Sequence, residues 1–221
     1  MGLIPGIMLP PEPIVVEYLV PGTYNYTVPP RMKYIRFHLV SGGGGGGSGD
    51  GAIGGGGGGS GNAVRAGIRV VPGQVLQIVV GAGGIAGTHT DLAGDGGISS
   101  IRYLDSPIAV NLPGGARGLT VGGAGGSTIR VTLESIMFFG LIGASIATAQ
   151  NGFSTTTNVG GRGNVIVGVS TILSEGGNPL QPGIISPIAN SGTGGGGGGS
   201  NAVGAAGREG FARLEVYHEF N

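Results

Sequence analysis

From Lys33 to Val40 the chain alternates: Ile35, Phe37 and Leu39 are apolar, and Tyr34, Arg36 and His38 between them carry polar groups. A period of two is that of a strand with one face on a core. It forms the end of the strand region Tyr24–Val40, punctuated by Pro29-Pro30. The same reading predicts strands at Ala63–Val71 and Gln74–Val80. Pro72-Gly73 between them suits the central pair of a type II turn, which makes the two a hairpin. Short strands are expected at Ile98–Leu104 and Pro107–Leu112, and longer ones, rich in Val, Ile, Thr and Phe, at Thr128–Phe139 and Val165–Leu173. Phe211–Phe220 closes the chain with Ala212, Leu214, Val216 and Phe220 on one face. Gly81–Gly97 and Ser174–Thr193 read as loop-like or irregular.

No stretch has a convincing helical period. The best candidate, Ile136–Ala149, is too short for a confident membrane span, and Gly140 and Gly143 weaken it as a helix. It is expected as buried strand and loop, at the core or at a subunit contact, with membrane insertion the outside reading. The fold class is therefore all-β.

Between the strands lie three runs of six glycines, Gly42–Gly47, Gly54–Gly59 and Gly194–Gly199. Glycine-serine tracts usually serve as flexible linkers. Here linkers would leave residues 1–41 and 200–221 as separate pieces, each too small to bury a core. The runs are instead expected inside one β-sandwich-like domain, residues 24–221, as ordered polyglycine II-type segments. Such a helix has three residues per turn, rises about 3.1 Å per residue and has no internal hydrogen bonds, so its backbone must bond to neighbouring chains or water. Gly44, Gly57 and Gly196, inside the runs, are the structural glycines of this reading. Gly54–Gly67 and Gly194–Gly207 echo each other, each passing from six glycines through Ser and Asn-Ala-Val. The echo suggests one local job done twice, a glycine helix delivering the chain into a sheet.

Residues 1–23 are expected as an extended N-terminal docking arm. Met1–Glu17 is apolar and stiffened by Pro5, Pro10, Pro11 and Pro13, which forbid a stable helix. Ile4, Ile7 and Leu9 are its anchoring side chains, and a strand tucked onto its own domain is the equal alternative. No secretory signal is visible. With 11 basic and 11 acidic residues, nothing suggests capture of nucleic acid or an acidic membrane. An apolar fraction of 39% with so little charge argues against disorder. The absence of Cys excludes disulfides and thiolate zinc sites.

Candidate chemistry is sparse. Glycine-rich text matches dinucleotide fingerprints trivially, and the single lysine, Lys33, precedes the first run instead of following it as a phosphate loop requires. His89 and Asp91 supply two of the three or four ligands a metal needs. His38 and His218 lie in strands. No sharp-turn GxSxG exists, and Arg-Gly pairs are scattered. No catalytic residue, cofactor or metal is expected, and an enzyme is the unlikely class.

One resemblance organises these observations. The order runs YTVPP (Tyr26–Pro30), KYIRFHLV (Lys33–Val40), two glycine blocks and AVRAGIRVVPGQVLQIVVGAGG (Ala63–Gly84); a last block leads into GREGFARLEVY (Gly207–Tyr217). It resembles the glycine-rich domain of bacteriophage tail-fibre and tail-tip proteins, over residues 24–84 and 194–217 and most specifically in Val70–Gly84. The resemblance implies a β-rich virion structural protein, often trimeric. In similar fibre-tip adhesins packed polyglycine helices hold up loops that touch the bacterial surface. On this chain the loops would be Ser48–Ile53 and Ile85–Asp95, with Ser174–Thr193 as a further candidate, and Asp50, Ile53, His89 and Asp91 as receptor-contact candidates. Other virion proteins, held through the arm, and a bacterial surface receptor are the implied partners, and the phage particle, tail before capsid, is the implied location. The alternatives are a capsid-decorating or head-fibre protein without receptor contact and an extracellular glycine-rich matrix protein.

Overall fold

In a computed structural model the described residues are 12–106, 109–119, 142–147, 149–155, 160–161, 163 and 180–218. Among them the chain is all-β, with two antiparallel sheets and no helix. Ile14–Tyr18 is β1, Gly22–Thr27 β2, Met32–Val40 β3, Ala63–Arg69 β4, Val75–Val80 β5, Ser99–Tyr103 β6, Ala109–Leu112 β7, Ile142–Ala147 β8 and Phe211–His218 β9. One sheet has the order β1-β9-β3-β4-β8 and the other β2-β5-β6-β7.

The period-two pattern does what it predicts. Ile35, Phe37 and Leu39 of β3 are buried, as are Ala212, Leu214 and Val216 of β9, while Arg36 and Arg213 face outward. These side chains meet Leu76, Ile78, Ile101, Val110 and Leu112 of the second sheet in one core cluster. Burying a side chain of this kind contributes roughly 1.5–3 kcal/mol, and the area removed from water is what joins the sheets.

Pro72-Gly73 turns the chain but closes no hairpin. Gly73 has φ 81°, Gln74 N–H donates to Val71 O at 3.0 Å, and the turn is the one expected. Its flanks then part: β4 pairs with β3 and β8, whereas β5 pairs with β2 and β6. Val28 N–H bonds Gln74 O and Gly73 N–H bonds Val28 O, so the turn is a corner between sheets. The arm also ends differently from its expected boundary at residue 23. Ile14–Tyr18 lies within that span, yet it is hydrogen-bonded along β9 from Ile14↔Val216 to Tyr18↔Ala212, and Tyr18 stacks near Tyr24 with ring centroids 4.7 Å apart. Ile4, Ile7 and Leu9, Thr128–Phe139, Val165–Leu173 and Phe220 lie outside the described residues. Of Ile136–Ala149, β8 forms the edge of the five-stranded sheet, where Ile146 is half-buried and Ala144 and Ser145 are exposed.

The glycine runs are buried throughout and belong to neither sheet. Residues 41–49 are their hub. Ser41, Gly44 and Gly47 donate N–H to the carbonyls of Asn62, Gly59 and Gly56; Gly42 and Gly45 donate to Gly97 and Gly94; Gly43, Gly46 and Gly49 donate to Arg208, Ala205 and Ala202, all at 2.8–3.1 Å. Donors three residues apart thus reach the same neighbour. The carbonyls follow the same rule: Gly42 and Gly45 accept from Gly115 and Gly118, Gly43 and Gly46 from Gly84 and Gly87, Gly44 and Gly47 from Gly195 and Gly198. Three segments run antiparallel to the hub and three parallel, and adjacent members of this ring bond to one another, as Gly94 N–H does to Ile85 O and Gly58 N–H to Gly195 O.

Close approach is why these positions are glycine. A methyl built at Gly44 would fall on the carbonyl of Ala116, and one at Gly46 on that of Gly196. Gly57 donates to Phe153 O at 3.0 Å, and its own carbonyl leaves no room for a methyl on Gly152. Segments at the rim keep glycine where they meet the hub, at Gly84 and Gly87, Gly94 and Gly97, and Gly115 and Gly118, and expose larger residues such as Ile85, Asp95, Ile98 and Leu119 alongside them. Gly81–Gly97 is therefore mostly two such rim segments and not a loop, with Gly84 N–H and Gly87 N–H on the hub.

The internal echo does two different jobs. After Gly54–Gly59, Ser60-Gly61-Asn62 runs straight on into β4. After Gly194–Gly199 the residue matching Gly61 is missing. Asn201 adopts φ 55°, which Asn tolerates well, Ala202 N–H bonds Gly199 O, and the chain reverses into another glycine-rich segment before reaching β9.

Replacing Gly44 by Ala is expected to cost about 3 kcal/mol or more in chemical denaturation, because only backbone surrounds the added methyl. Ile85→Ala, on the exposed position of a rim segment, is expected to stay within about 0.5 kcal/mol of the parent.

Candidate functional site

The bundle has two ends. At the sheet end, buried side chains fix the junction. Ser41 Oγ and Asn62 Nδ2 donate to Pro113 O at 2.7 and 2.8 Å, Ala149 N–H donates to Asn62 Oδ1 at 2.9 Å, and Ser99 Oγ links Val40 O to Gly81 N–H at 2.8 Å each. Every polar group here is met by backbone, as burial requires.

The far end carries the turns, and two of them hold the four candidate contact residues. Asp50 and Ile53 close the first by exchanging backbone hydrogen bonds at 2.8 and 3.0 Å, with Gly51 at φ 54° between them. In the second, Thr88 N–H donates to Asp91 O at 2.9 Å. Asp91 Oδ2 accepts from Thr88 Oγ1 and Thr90 Oγ1 at 3.0 Å each, and Asp91 N–H returns a bond to Thr88 Oγ1. The hydroxyl–carboxylate cluster stiffens a turn whose residues 89–92 are all exposed. Ser48 Oγ donates to Thr88 O at 2.8 Å and ties the two turns together.

A third turn joins them, built from Asn201 after the last glycine run and from Leu180 of the expected loop Ser174–Thr193. Asn201 Oδ1 accepts from Gly51 N–H at 3.2 Å, and Leu180, 72% exposed, donates its N–H to Ser200 O. Of the described part of Ser174–Thr193, Leu180 and Gln181 reach this end, and residues 188–191 lie near the sheet. An Asn directly after a six-glycine run is the signal that could have marked the third turn, since Asn favours left-handed turn positions. The second tip is also narrower than Ile85–Asp95, because Gly94 N–H already bonds Ile85 O inside the bundle. No group of three or more His, Cys, Asp or Glu side chains comes together among the described residues. What the end exposes is hydroxyls, carboxylates, an imidazole and the side chains of Leu92 and Leu180, on turns with fixed feet.

The sequence profile of a glycine-rich domain matches residues 19–217, which is most of the chain and spans both the strands and the glycine bundle. The chain belongs to the glycine-rich domain family. No curated protein matches it. Within this glycine-rich domain, β1 precedes the matched span and adds its strand to the edge of β9.

The outer face of the five-stranded sheet holds the domain's ionisable cluster. Arg213 bonds Glu17 and Glu215 at 3.4 Å each, and Arg36 lies 3.9 Å from Glu215. These pairs are largely exposed and contribute little to stability. His38 stands among them, edge-on to Phe211 with centroids 4.8 Å apart. Burial, then the charges of Arg65 and Arg213, lower its pKa to about 4, with Glu215 opposing.

A histidine whose folded pKa lies below its unfolded value of about 6.5 takes its proton first in the unfolded chain. The stability it contributes is complete above that value and declines as pH falls toward 4. His38→Gln is expected to show a smaller loss of melting temperature than the parent between pH 7 and pH 4; an equal loss would contradict the assignment.

Proposed function

We propose that this glycine-rich domain is a bacteriophage virion structural protein, a tail-fibre or tail-tip component without catalytic activity, that presents recognition loops to the bacterial surface. In this reading the two sheets form a sandwich, and the glycine segments form a hexagonal array of polyglycine II helices standing on it. The observation that carries the proposal is the convergence of three tied turns at the end of a backbone bundle held on every side. Loops whose ends are already fixed lose little entropy on binding, so short side chains such as Asp50, His89 and Asp91 can contribute to affinity. Family membership supports the architecture, and the resemblance to phage fibre proteins supplies the setting. Assembly as a homotrimer, with residues 1–11 anchoring it to another virion protein, belongs to the same reading.

Purified protein is expected to slow adsorption of the parent phage to its host. A combined Asp50→Ala, His89→Ala and Asp91→Ala variant should lose that effect while keeping its melting temperature. Competition undiminished by the variant would contradict the loop assignment, and labelling of capsids alone would contradict the tail location. Deleting residues 1–11 leaves β1 intact and is expected to abolish incorporation into particles.

A further inference from the structure

Away from the loop-bearing end, the outer face of the five-stranded sheet carries a recess. Residues 188–191 stand on one side of a half-open cleft of about 1000 Å³, with half-buried Phe211 and His38 and the exposed Arg213 and Arg65 on the sheet side. That volume is at the upper end of what small-molecule sites occupy. That side is built into the fold. Ile188 N–H bonds Ser186 Oγ, Ser191 Oγ bonds Ile188 O and Thr193 Oγ1, and Arg208 Nε bonds Ser186 O.

The charges inside the cleft are unequal. Arg36, Arg213, Glu17 and Glu215 neutralise one another along one wall. Arg65 does not take part: it makes no ion pair among the described residues, although its guanidinium belongs to the cleft. Across the strands it is registered with His38 on β3 and Ser145 on β8, so a cation, a neutral imidazole and a hydroxyl stand in one row. Beside that row are the rings of Phe211 and Tyr34 and the amide of Asn190.

We propose that this cleft binds an anionic saccharide, whose carboxylate or phosphate is taken by Arg65 with help from Ser145 and whose ring lies against Phe211. An unpaired guanidinium beside neutral donors is the chemistry that selects an oxyanion. An aromatic face among hydroxyl and amide groups suits a polyol body, with its apolar ring face and polar edge. A neutral sugar leaves Arg65 without a counter-charge, and a bare anion leaves the aromatic wall uncovered. The site is independent of the loops at the far end and of the function proposed for them.

His38 supplies the readout. The groups that face it are Arg65, Arg213 and Glu215, with Arg36 and Glu17 on the same wall. Burial first, and then the charges of Arg65 and Arg213, hold the imidazole neutral; an anion bound at Arg65 offsets that cation's share, so the pKa rises on binding. The chain has three histidines, and His89 and His218 serve as internal references. The full chain would be titrated with glucuronic acid, glucose 6-phosphate, glucose and inorganic phosphate while the histidine ring signals are followed by NMR.

The proposal expects saturable movement of the His38 signals, and a raised His38 pKa, with glucuronic acid, glucose 6-phosphate or both. The member that acts identifies carboxylate or phosphate as the preferred anion. Arg65→Ala should weaken this binding about tenfold or more, while Arg69→Ala, on the same strand but outside the cleft, should not. The proposal is overturned if neither anionic sugar moves His38, if inorganic phosphate acts at the same concentration as glucose 6-phosphate, if glucose binds equally well, or if Arg65→Ala binds like the parent.

Discussion

The structure rests on backbone hydrogen bonds that no segment can make for itself. Residues 41–49 donate to three neighbours and accept from three others, each reached by every third residue. An extended three-fold chain has no internal ladder, so its N–H and C=O groups are satisfied only when other chains surround it. Order in any one glycine run is therefore a property of the whole set. Each bond contributes only about 1 kcal/mol net, and glycine loses more freedom on folding than any other residue. The segments hold because each is bonded on several sides and because both ends of the hub are tied down, by β3 at one end and the Asp50–Ile53 turn at the other.

Absence of side chains is what makes this packing available. In an ordinary core, specificity comes from the fit of branched side chains; in the bundle it comes from carbonyls occupying the space a Cβ would fill. Glycine content then reports position. A run of pure glycine is surrounded, as residues 42–47 are, and a segment that keeps glycine only where it meets the hub lies at the rim and turns larger residues outward, as at Ile85 and Leu119. The sheets are built by the opposite rule, with Phe37, Ile35 and Leu214 fully buried in one cluster shared with side chains of the other sheet. Val40 and Ser41 are where one rule gives way to the other, and the buried hydroxyls and amide of Ser41, Asn62 and Ser99 complete the bonds at that seam.

Much of this was legible in the residues. The alternation in β3 and β9 gave both strands and their buried faces, because a period of two leaves no choice of face once a core exists. That the glycine runs lie within the domain followed from how little the flanking pieces could bury. The partners were not legible. Pro72-Gly73 specifies a turn, but whether its flanks pair or part depends on strands distant in sequence, here β2 and β3. The two copies of the glycine–Asn-Ala-Val motif look alike, yet one residue more or less separates a straight run from a reversal at Asn201. Asp50, Ile53, His89 and Asp91 are contact candidates taken from the inserts that contain them, and the turns they form share one end. Asn201 was missed because nothing local says that a turn after the third run meets Gly51. The cleft beside residues 188–191 was invisible for the same reason: it is assembled across five strands and a distant loop.

The mechanical claim underlying all of this is that the glycine tracts are as rigid as the sheets. Amide hydrogen exchange of Gly42–Gly47, resolved by NMR, tests it most directly. These amides are predicted to exchange as slowly as those of Ile35 and Leu214, opening only with the whole domain. Exchange near the rate of an unstructured peptide, while the strands remain protected, would contradict the account.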